Sequence, residues 1–112
     1  FIEKEKIDYF NSLDIRVGEI INVDDFPEAI NPSYVIEINF GKEIGIKKTS
    51  AQITNYTKES LTGKKCIGIV NLGEKQIGPI MSQCLILGSV DENKLVSLLS
   101  PDSMASVGDK IA

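Results

Sequence analysis

The chain has 112 residues and a mass of 12.3 kDa, which allows one domain with one modest core. Its formal net charge is −4, and its 42% hydrophobic and 25% charged residues are the proportions of an ordinary globular protein. Because it has no histidine, serine–histidine and cysteine–histidine nucleophile systems are excluded, and the commonest metal ligand is missing.

The sequence has neither the pattern of a membrane span nor that of a signal peptide. No apolar run approaches the roughly 20 residues that a membrane-spanning helix needs. Residues 1–6 are mostly charged, whereas a signal peptide has an apolar stretch. We therefore expect a cytoplasmic protein that does not insert into a membrane.

The spacing of hydrophobic residues predicts a mostly β chain with two short helices. The predicted elements, in chain order, are a helix at 4–11, strands at 15–23, 34–40 and 44–48, a helix at 58–61, and strands at 66–70 and 81–87. The second and third strands are joined by a turn at Gly41 and Lys42. Thr57 is placed to cap the second helix and Gly63 to end it.

Five strands with a helix between the third and the fourth follow the order of an OB-fold, a small all-β Greek-key barrel. Closure into a barrel explains how several short aliphatic strands avoid exposed edges. We predict a single domain over residues 1–112, with the barrel at about 14–88 and a C-terminal extension at 89–112.

The first strand carries the only arginine of the chain, Arg16. The alternation predicts Ile15, Val17 and Ile21 on the core side and Arg16 on the other side. The planar guanidinium makes forked contacts to phosphates and carboxylates, so Arg16 is a candidate ligand residue. The alternative is a residue on a solvated strand face that pairs with Asp14 or a nearby carboxylate.

The two cysteines have apolar neighbours. Cys66 and Cys84 match neither the spacing of a redox pair nor that of a zinc knuckle. We therefore predict buried free thiols that pack as small hydrophobic side chains.

The lysines gather in the middle of an otherwise acidic chain. Many acids lie between Glu3 and Glu28 and at Asp91–Glu92, whereas the segment 41–75 is net basic. A local face for an anionic ligand is therefore compatible with the negative total charge.

Several spaced motifs resemble the tRNA-binding domain family. That family includes the C-terminal domains of some methionyl- and tyrosyl-tRNA synthetases and stand-alone dimeric tRNA-binding proteins. The opening motifs are Asp14–Gly18, Asp25–Ala29 and Tyr34–Gly41. Further motifs are similar to the CsaA branch, whose members are described as export-related chaperones: Ile44–Ile53, Tyr56–Thr57, Leu61–Lys64, Asn71–Leu72, Lys75–Ile77 and Met81–Ser82. The resemblance covers the chain from Asp14 to Ile111.

Two segments depart from the general family pattern. Where general tRNA-binding domains resemble valine-serine-glycine-leucine, residues 47–52 read Lys-Lys-Thr-Ser-Ala-Gln. Where they have a glycine-methionine pair, this chain has Gln83 and Cys84. Both departures are features of the CsaA branch.

The resemblance also implies a homodimer formed through the residues beyond the barrel. A single small barrel cannot fully bury the apolar side chains of this extension, and exposed contiguous apolar surface usually marks an interface. These side chains are Leu95, Val96, Leu98, Leu99, Val107 and Ile111.

The candidate RNA-binding residues are the lone arginine and a set of lysines and small polar residues between positions 42 and 82. They are Arg16, Lys42, Lys47, Lys48, Ser50, Asn71, Lys75 and Ser82. Cationic side chains contact phosphates, and amides can bond base edges. The alternative is structural: Lys47 and Lys48 would be solvated edge lysines, and Asn71 would build a loop.

Three apolar residues are candidates for a peptide groove: Phe26, Ile80 and Met81. Phe26 lies in the proline-containing loop and is predicted to be exposed, whereas Tyr34 is predicted to pack in the core. Two functions follow, binding of tRNA or structured RNA as a dimer, or an export-related chaperone that binds unfolded or export-bound polypeptides in an apolar groove. We expect no enzyme, cofactor or metal, because the acid pair Asp24–Asp25 lies in a loop without histidine or a phosphate-cradling motif.

Overall fold

The computed structural model describes residues 2–112, which form two short helices and nine strands. The elements are α1 (Lys4–Ser12), β1 (Ile15–Asp25), β2 (Tyr34–Asn39), β3 (Ile46–Ala51), α2 (Lys58–Leu61), β4 (Lys65–Ile69), β5 (Lys75–Ile77), β6 (Ile80–Ser82), β7 (Leu85–Ile86), β8 (Gly88–Val90) and β9 (Val96–Leu98). The strand predicted at 81–87 is divided into β6 and β7, and β5 pairs with β6 in a hairpin that the pattern does not predict.

One antiparallel sheet with the strand order β3-β2-β1-β4-β7 forms the barrel. The long strand β1 belongs to both halves of the sheet, because its first part pairs with β4 and its second part pairs with β2. The barrel is open between its two edge strands, β3 and β7. Gln83, just before β7, narrows this opening, because its backbone N–H donates to the carbonyl of Lys48 in β3 at 2.7 Å. The predicted five-stranded OB-fold barrel, with α2 between β3 and β4, is confirmed.

A β-bulge in β1 corrects the predicted direction of one side chain. The register with β2 shifts between Ile20 and Asn22, so the alternation of inward and outward residues changes there. Ile20 is fully buried, whereas Ile21, which we predicted on the core side, is 38% exposed. Ile15 and Val17 precede the bulge and are buried as predicted.

The barrel interior is mostly aliphatic and is organised around the ring of Phe40. A Cβ atom built on Gly18 or on Gly68 would lie only 2.8 Å from an atom of this ring. Both positions therefore need glycine, so that β1 and β4 can approach the ring closely. Cys66 is fully buried in the same cluster, which confirms the predicted core thiol.

The C-terminal tail pairs with the first part of β1. Gly108 N–H donates to the carbonyl of Val17 at 2.8 Å, and Val17 N–H donates to the carbonyl of Asp109 at 2.9 Å. Ile111 N–H donates to the carbonyl of Ile15 at 2.9 Å. The tail thus covers an edge of β1 that neither β2 nor β4 pairs.

The side chains of this extension divide into a packed set and an exposed set. Val96 and Leu98 pack against the main core, and Ile111 packs against a second cluster around β1 and β4. Leu95 is 50% exposed and Leu99 is 45% exposed. Val90 at 64% and Met104 at 82% add to the apolar surface that the extension leaves open.

The helix α1 lies outside the core. None of its nine residues is buried, and the apolar side chains of Tyr9 and Phe10 are exposed. Within residues 2–112 no helix is both long enough and apolar enough to cross a bilayer.

Candidate RNA- and peptide-binding groove

A surface groove made of two adjoining cavities runs beside the second half of β3. The first, the Phe26 cavity, has a volume of about 480 Å³ and the second, the Ser82 cavity, about 350 Å³. Ser50 and Ile77 line both cavities, so the two lie side by side.

Loops and the β5–β6 hairpin build the walls of the groove opposite β3. The loop between β1 and β2 supplies Phe26 to the first cavity, and the residues before β5 supply Leu72 and Glu74 to the second. The hairpin turns at Gly78, which has a φ of +56° and lies next to the ring of Phe26. A side chain there would be strained, so glycine is required where the hairpin meets the loop.

The structure brings five of the eight predicted RNA-binding residues to this region. Ser50, Lys75 and Ser82 line the Ser82 cavity directly. Lys48 is two residues before Ser50 on β3. The charge of Lys47 reaches Cys84, a residue that also lines this cavity.

Three lysines of this region form no ion pair within residues 2–112. Lys4, Lys6 and Lys58 form ion pairs with carboxylates. Within residues 2–112, by contrast, no carboxylate lies within ion-pair distance of Lys47, Lys48 or Lys75. An anionic ligand would therefore not have to displace a carboxylate of the chain.

Arg16 occupies a different place and is only 6% exposed, which corrects the prediction of a solvated strand face. Its Nε donates to Asp14 at 2.6 Å and its Nη1 donates to Glu43 at 3.3 Å and to the carbonyl of Gly108 at 3.1 Å. The predicted pairing with Asp14 is confirmed. Hydrogen bonds from Asp14 and then Glu43 raise the pKa of the Arg16 guanidinium above its already high ordinary value. The guanidinium joins β1, the β2–β3 turn and the C-terminal tail.

Two further predicted residues lie outside the groove. Lys42 is exposed in the β2–β3 turn, at the end of the hairpin opposite to Ser50. Asn71 is exposed, but its Oδ1 accepts from Asp14 N–H at 2.8 Å and its Nδ2 donates to the carbonyl of Ser12 at 2.9 Å. The Asn71 amide thus braces the start of β1, as in the structural alternative.

The three peptide-groove candidates also divide. Phe26 is 5% exposed, which corrects the prediction of an exposed ring, because Gly78 and the hairpin cover it. It lines the first cavity as a wall. Ile80 is half-buried and Met81 is exposed on β6, and neither lines the Phe26 cavity or the Ser82 cavity.

Gln83 is a residue of this site that was not among the predicted ligand residues. Its Oε1 accepts from Lys48 N–H at 3.0 Å, and its Nε2 donates to Glu74 at 2.9 Å. It therefore holds the lysine-bearing strand and the loop before β5 in one arrangement. One sequence feature could have indicated this contact. Residues 47–52 and Gln83 depart from the general family pattern together, as two segments that touch each other would.

Both thiols are buried in the core below the groove. Desolvation raises the pKa of Cys66 to about 12, and the neighbouring Cys84 adds to that rise. Desolvation also raises the pKa of Cys84 to about 12, although the Lys47 charge opposes the change. Neither thiol is therefore an activated nucleophile at neutral pH.

Nearly the whole chain matches one known protein family. The family model described as "Putative tRNA binding domain" matches residues 15–110. The chain belongs to the tRNA-binding domain family. Members similar to it include the methionine–tRNA ligases of Pyrococcus horikoshii, 35% identical over 98% of this chain, and of Nanoarchaeum equitans, 38% identical over 91%. The chain spans only 15% and 13% of the length of these two ligases.

Solved structures place the chain next to one branch of the family. The CsaA chaperone protein from Picrophilus torridus is 47% identical, with a TM-score of 0.91 and complete coverage of both chains. The chaperone CsaA from Bacillus anthracis is 38% identical, with a TM-score of 0.88 and coverage of 95% of this chain and 96% of that one. The predicted resemblance to the CsaA branch is confirmed.

Proposed function

We propose that this protein binds structured RNA, most directly tRNA, through a lysine face made of Lys47, Lys48 and Lys75. The observation that carries the proposal is the absence of ion-pair partners for these three lysines within residues 2–112 of a chain with net charge −4. In such a chain acids are in excess, so unpaired cations beside one groove favour an external anion. An RNA backbone carries one phosphate per nucleotide, so a single RNA molecule can contact several separate lysines.

Membership of the tRNA-binding domain family supports RNA over other polyanions. Ser50 and Ser82 lie beside Lys75, and their hydroxyl groups can bond phosphate or ribose oxygens. Ser82 already shares a hydrogen bond of 3.0 Å with Thr49, so Ser50 is the better placed of the two.

The experiment is a titration of fluorescently labelled tRNA, read by anisotropy, with two matched double variants. Replacing Lys47 and Lys48 with alanine should weaken binding several-fold, because two phosphate contacts are lost. Replacing Lys4 and Lys6 with alanine removes the same charge from the exposed helix α1 and should leave binding nearly unchanged. Equal affinities of the two variants would contradict the proposal.

A second candidate function is binding of unfolded polypeptide. The observation that favours it is the Phe26 cavity, whose walls include Phe26, Ile30, Ala51 and Ile77. Such walls suit apolar side chains, since burying apolar surface contributes about 25 cal/mol per Å². The similar CsaA proteins are named chaperones, which agrees with this function.

We further propose that the protein acts as a homodimeric binding protein and has no catalytic activity of its own. Helices as short as α1 are marginal in water unless a partner covers their apolar side, and α1 buries none of its residues in the single chain. Tyr9 and Phe10 on α1, with Leu95 and Leu99 on the extension, are the apolar side chains that a second copy would cover.

A further inference from the structure

We propose that the groove selects polypeptide segments by charge as well as by apolarity. In this inference, which rests on the second candidate function, an apolar side chain enters the Phe26 cavity. A basic residue beside it meets Glu28, and an acidic residue on its other side meets Lys75. The groove is thus electrically polarised along its length.

The acidic end of the groove depends on Glu28. It is the one charged residue that lines the Phe26 cavity, and it is exposed without an ion-pair partner within residues 2–112. Asp24 and Asp25 precede it at the end of β1, which corrects their predicted place in a loop. Of these two acids only Asp25 forms an ion pair within residues 2–112, with Lys58 at 2.8 Å. A cationic side chain at this end would therefore complete a pair that the chain leaves open.

The basic end depends on Lys75. The Ser82 cavity is lined by both Glu74 and Lys75, but Glu74 already accepts from Gln83 Nε2 at 2.9 Å. Lys75 is exposed and forms no ion pair in the part of the chain that the structure describes. Lys47 adds positive charge near Cys84 at the floor of this cavity. This end therefore favours a carboxylate.

The shape and charge of the Phe26 cavity favour polypeptide over RNA as its occupant. No cationic residue lines this cavity, and Glu28 would repel a phosphate there. Its walls combine apolar side chains with a few polar ones, and its volume of about 480 Å³ accommodates a few side chains. Because Ser50 and Ile77 line both cavities, one extended segment can occupy both.

The test uses fluorescently labelled short peptides with a central leucine pair, one lysine on one side and one glutamate on the other. The lysine is placed before the leucine pair in one peptide and after it in another, because charge does not fix the direction of the bound chain. The peptide of this pair that binds more tightly is used in the comparisons. Two further peptides carry glutamine in place of the lysine or of the glutamate. Each peptide is titrated with the wild-type protein and with the exposed-site variants Glu28→Gln and Lys75→Gln.

We expect each peptide charge to strengthen wild-type binding by about two- to five-fold. Glu28→Gln should abolish the advantage of the peptide lysine and keep that of the glutamate, and Lys75→Gln should do the reverse. Glu59→Gln, which changes an exposed acid of α2 away from the groove, should preserve both advantages.

The outcomes separate this inference from the function on which it rests. If the peptides bind but Glu28→Gln and Lys75→Gln alter all of them equally, the polarised groove is wrong and polypeptide binding stands. If no peptide binds the wild-type protein, the second candidate function fails and the inference fails with it. If Glu28→Gln strengthens tRNA binding without changing peptide selectivity, RNA occupies the Phe26 cavity and the inference is overturned.

Discussion

Gln83 and Lys48 are joined by two hydrogen bonds that close the barrel beside the groove. Gln83 N–H donates to the Lys48 carbonyl at 2.7 Å, and Lys48 N–H donates to Gln83 Oε1 at 3.0 Å. A backbone contact and a side-chain contact thus fix the strand that carries the lysine face. The same side chain also reaches Glu74, so one residue sets the distance between β3 and the loop that precedes β5.

Replacing Gln83 with alanine should lower the free energy of unfolding by about 1 kcal/mol, because the Lys48 N–H loses its acceptor. Urea unfolding followed by circular dichroism measures this change. Gln52→Ala is the matched control, since Gln52 is exposed on the groove and its side chain makes no hydrogen bond within residues 2–112. An equal effect of the two substitutions would show that Gln83 does not hold the barrel closed.

Replacing Arg16 with lysine should lower the urea midpoint and leave tRNA affinity unchanged. Lysine cannot bond Asp14, Glu43 and the Gly108 carbonyl at once, so the link between β1, the β2–β3 turn and the tail is weakened. Both properties are measured on the same preparation. A loss of tRNA affinity at unchanged stability would make Arg16 a ligand residue instead of a structural one.

The free energy of unfolding should fall in alkaline solution because both thiols are buried. An ordinary cysteine pKa is 9.0, whereas burial raises the pKa of Cys66 and Cys84 to about 12. Between these values the unfolded chain has lost thiol protons that the native chain keeps, so the unfolded state gains stability as the pH rises. The contribution is fully present below pH 9 and is lost as the pH approaches 12.

Urea unfolding at successive pH values from neutral to alkaline tests this sign. The wild-type protein should lose stability with rising pH more steeply than a variant with alanine at Cys66 and Cys84. The variant starts from a lower stability because each substitution removes buried volume, so the slopes are compared instead of the absolute values. Equal slopes would contradict burial of the thiols.

Light scattering at micromolar concentration should give twice the chain mass of 12.3 kDa. Phe10→Glu on α1 and Leu99→Glu on the extension should each shift the protein toward the monomer, because a charge enters the apolar contact. Ile30→Glu places the same charge on an exposed apolar residue of the groove loop and should leave the dimer intact. A wild-type monomer at every concentration would remove the dimer from the proposed function.

The barrel could be predicted from sequence because its strands show clear periodicity. Ile36, Ile38 and Phe40 alternate on one face, and all three are fully buried. The direction of Ile21 could not be predicted, since a bulge leaves no mark in a hydrophobic pattern. The division of the last strand into β6 and β7 depends on how Gln83 meets β3, which is a contact between distant segments.

The candidate site was only partly predictable for the same reason. Lys75 and Ser82 could be grouped because they flank the fourth and fifth predicted strands, and both line the Ser82 cavity. Burial of Arg16 and Phe26 depends on the tail and on the β5–β6 hairpin, which pack onto them from distant positions in the chain. Residue type and local pattern give exposure only when no remote segment covers the residue.

The salt dependence of tRNA binding tests the lysine face most directly. For each phosphate that the protein neutralises, the logarithm of affinity should fall with the logarithm of salt concentration by a slope of roughly 0.7 to 0.9. Replacing Lys47 and Lys48 with alanine should reduce this slope by about one to two units, while replacing Lys4 and Lys6 should leave it unchanged. If the wild-type slope persists in the variant without Lys47 and Lys48, RNA does not bind at the lysine face and the proposed function of this groove is wrong.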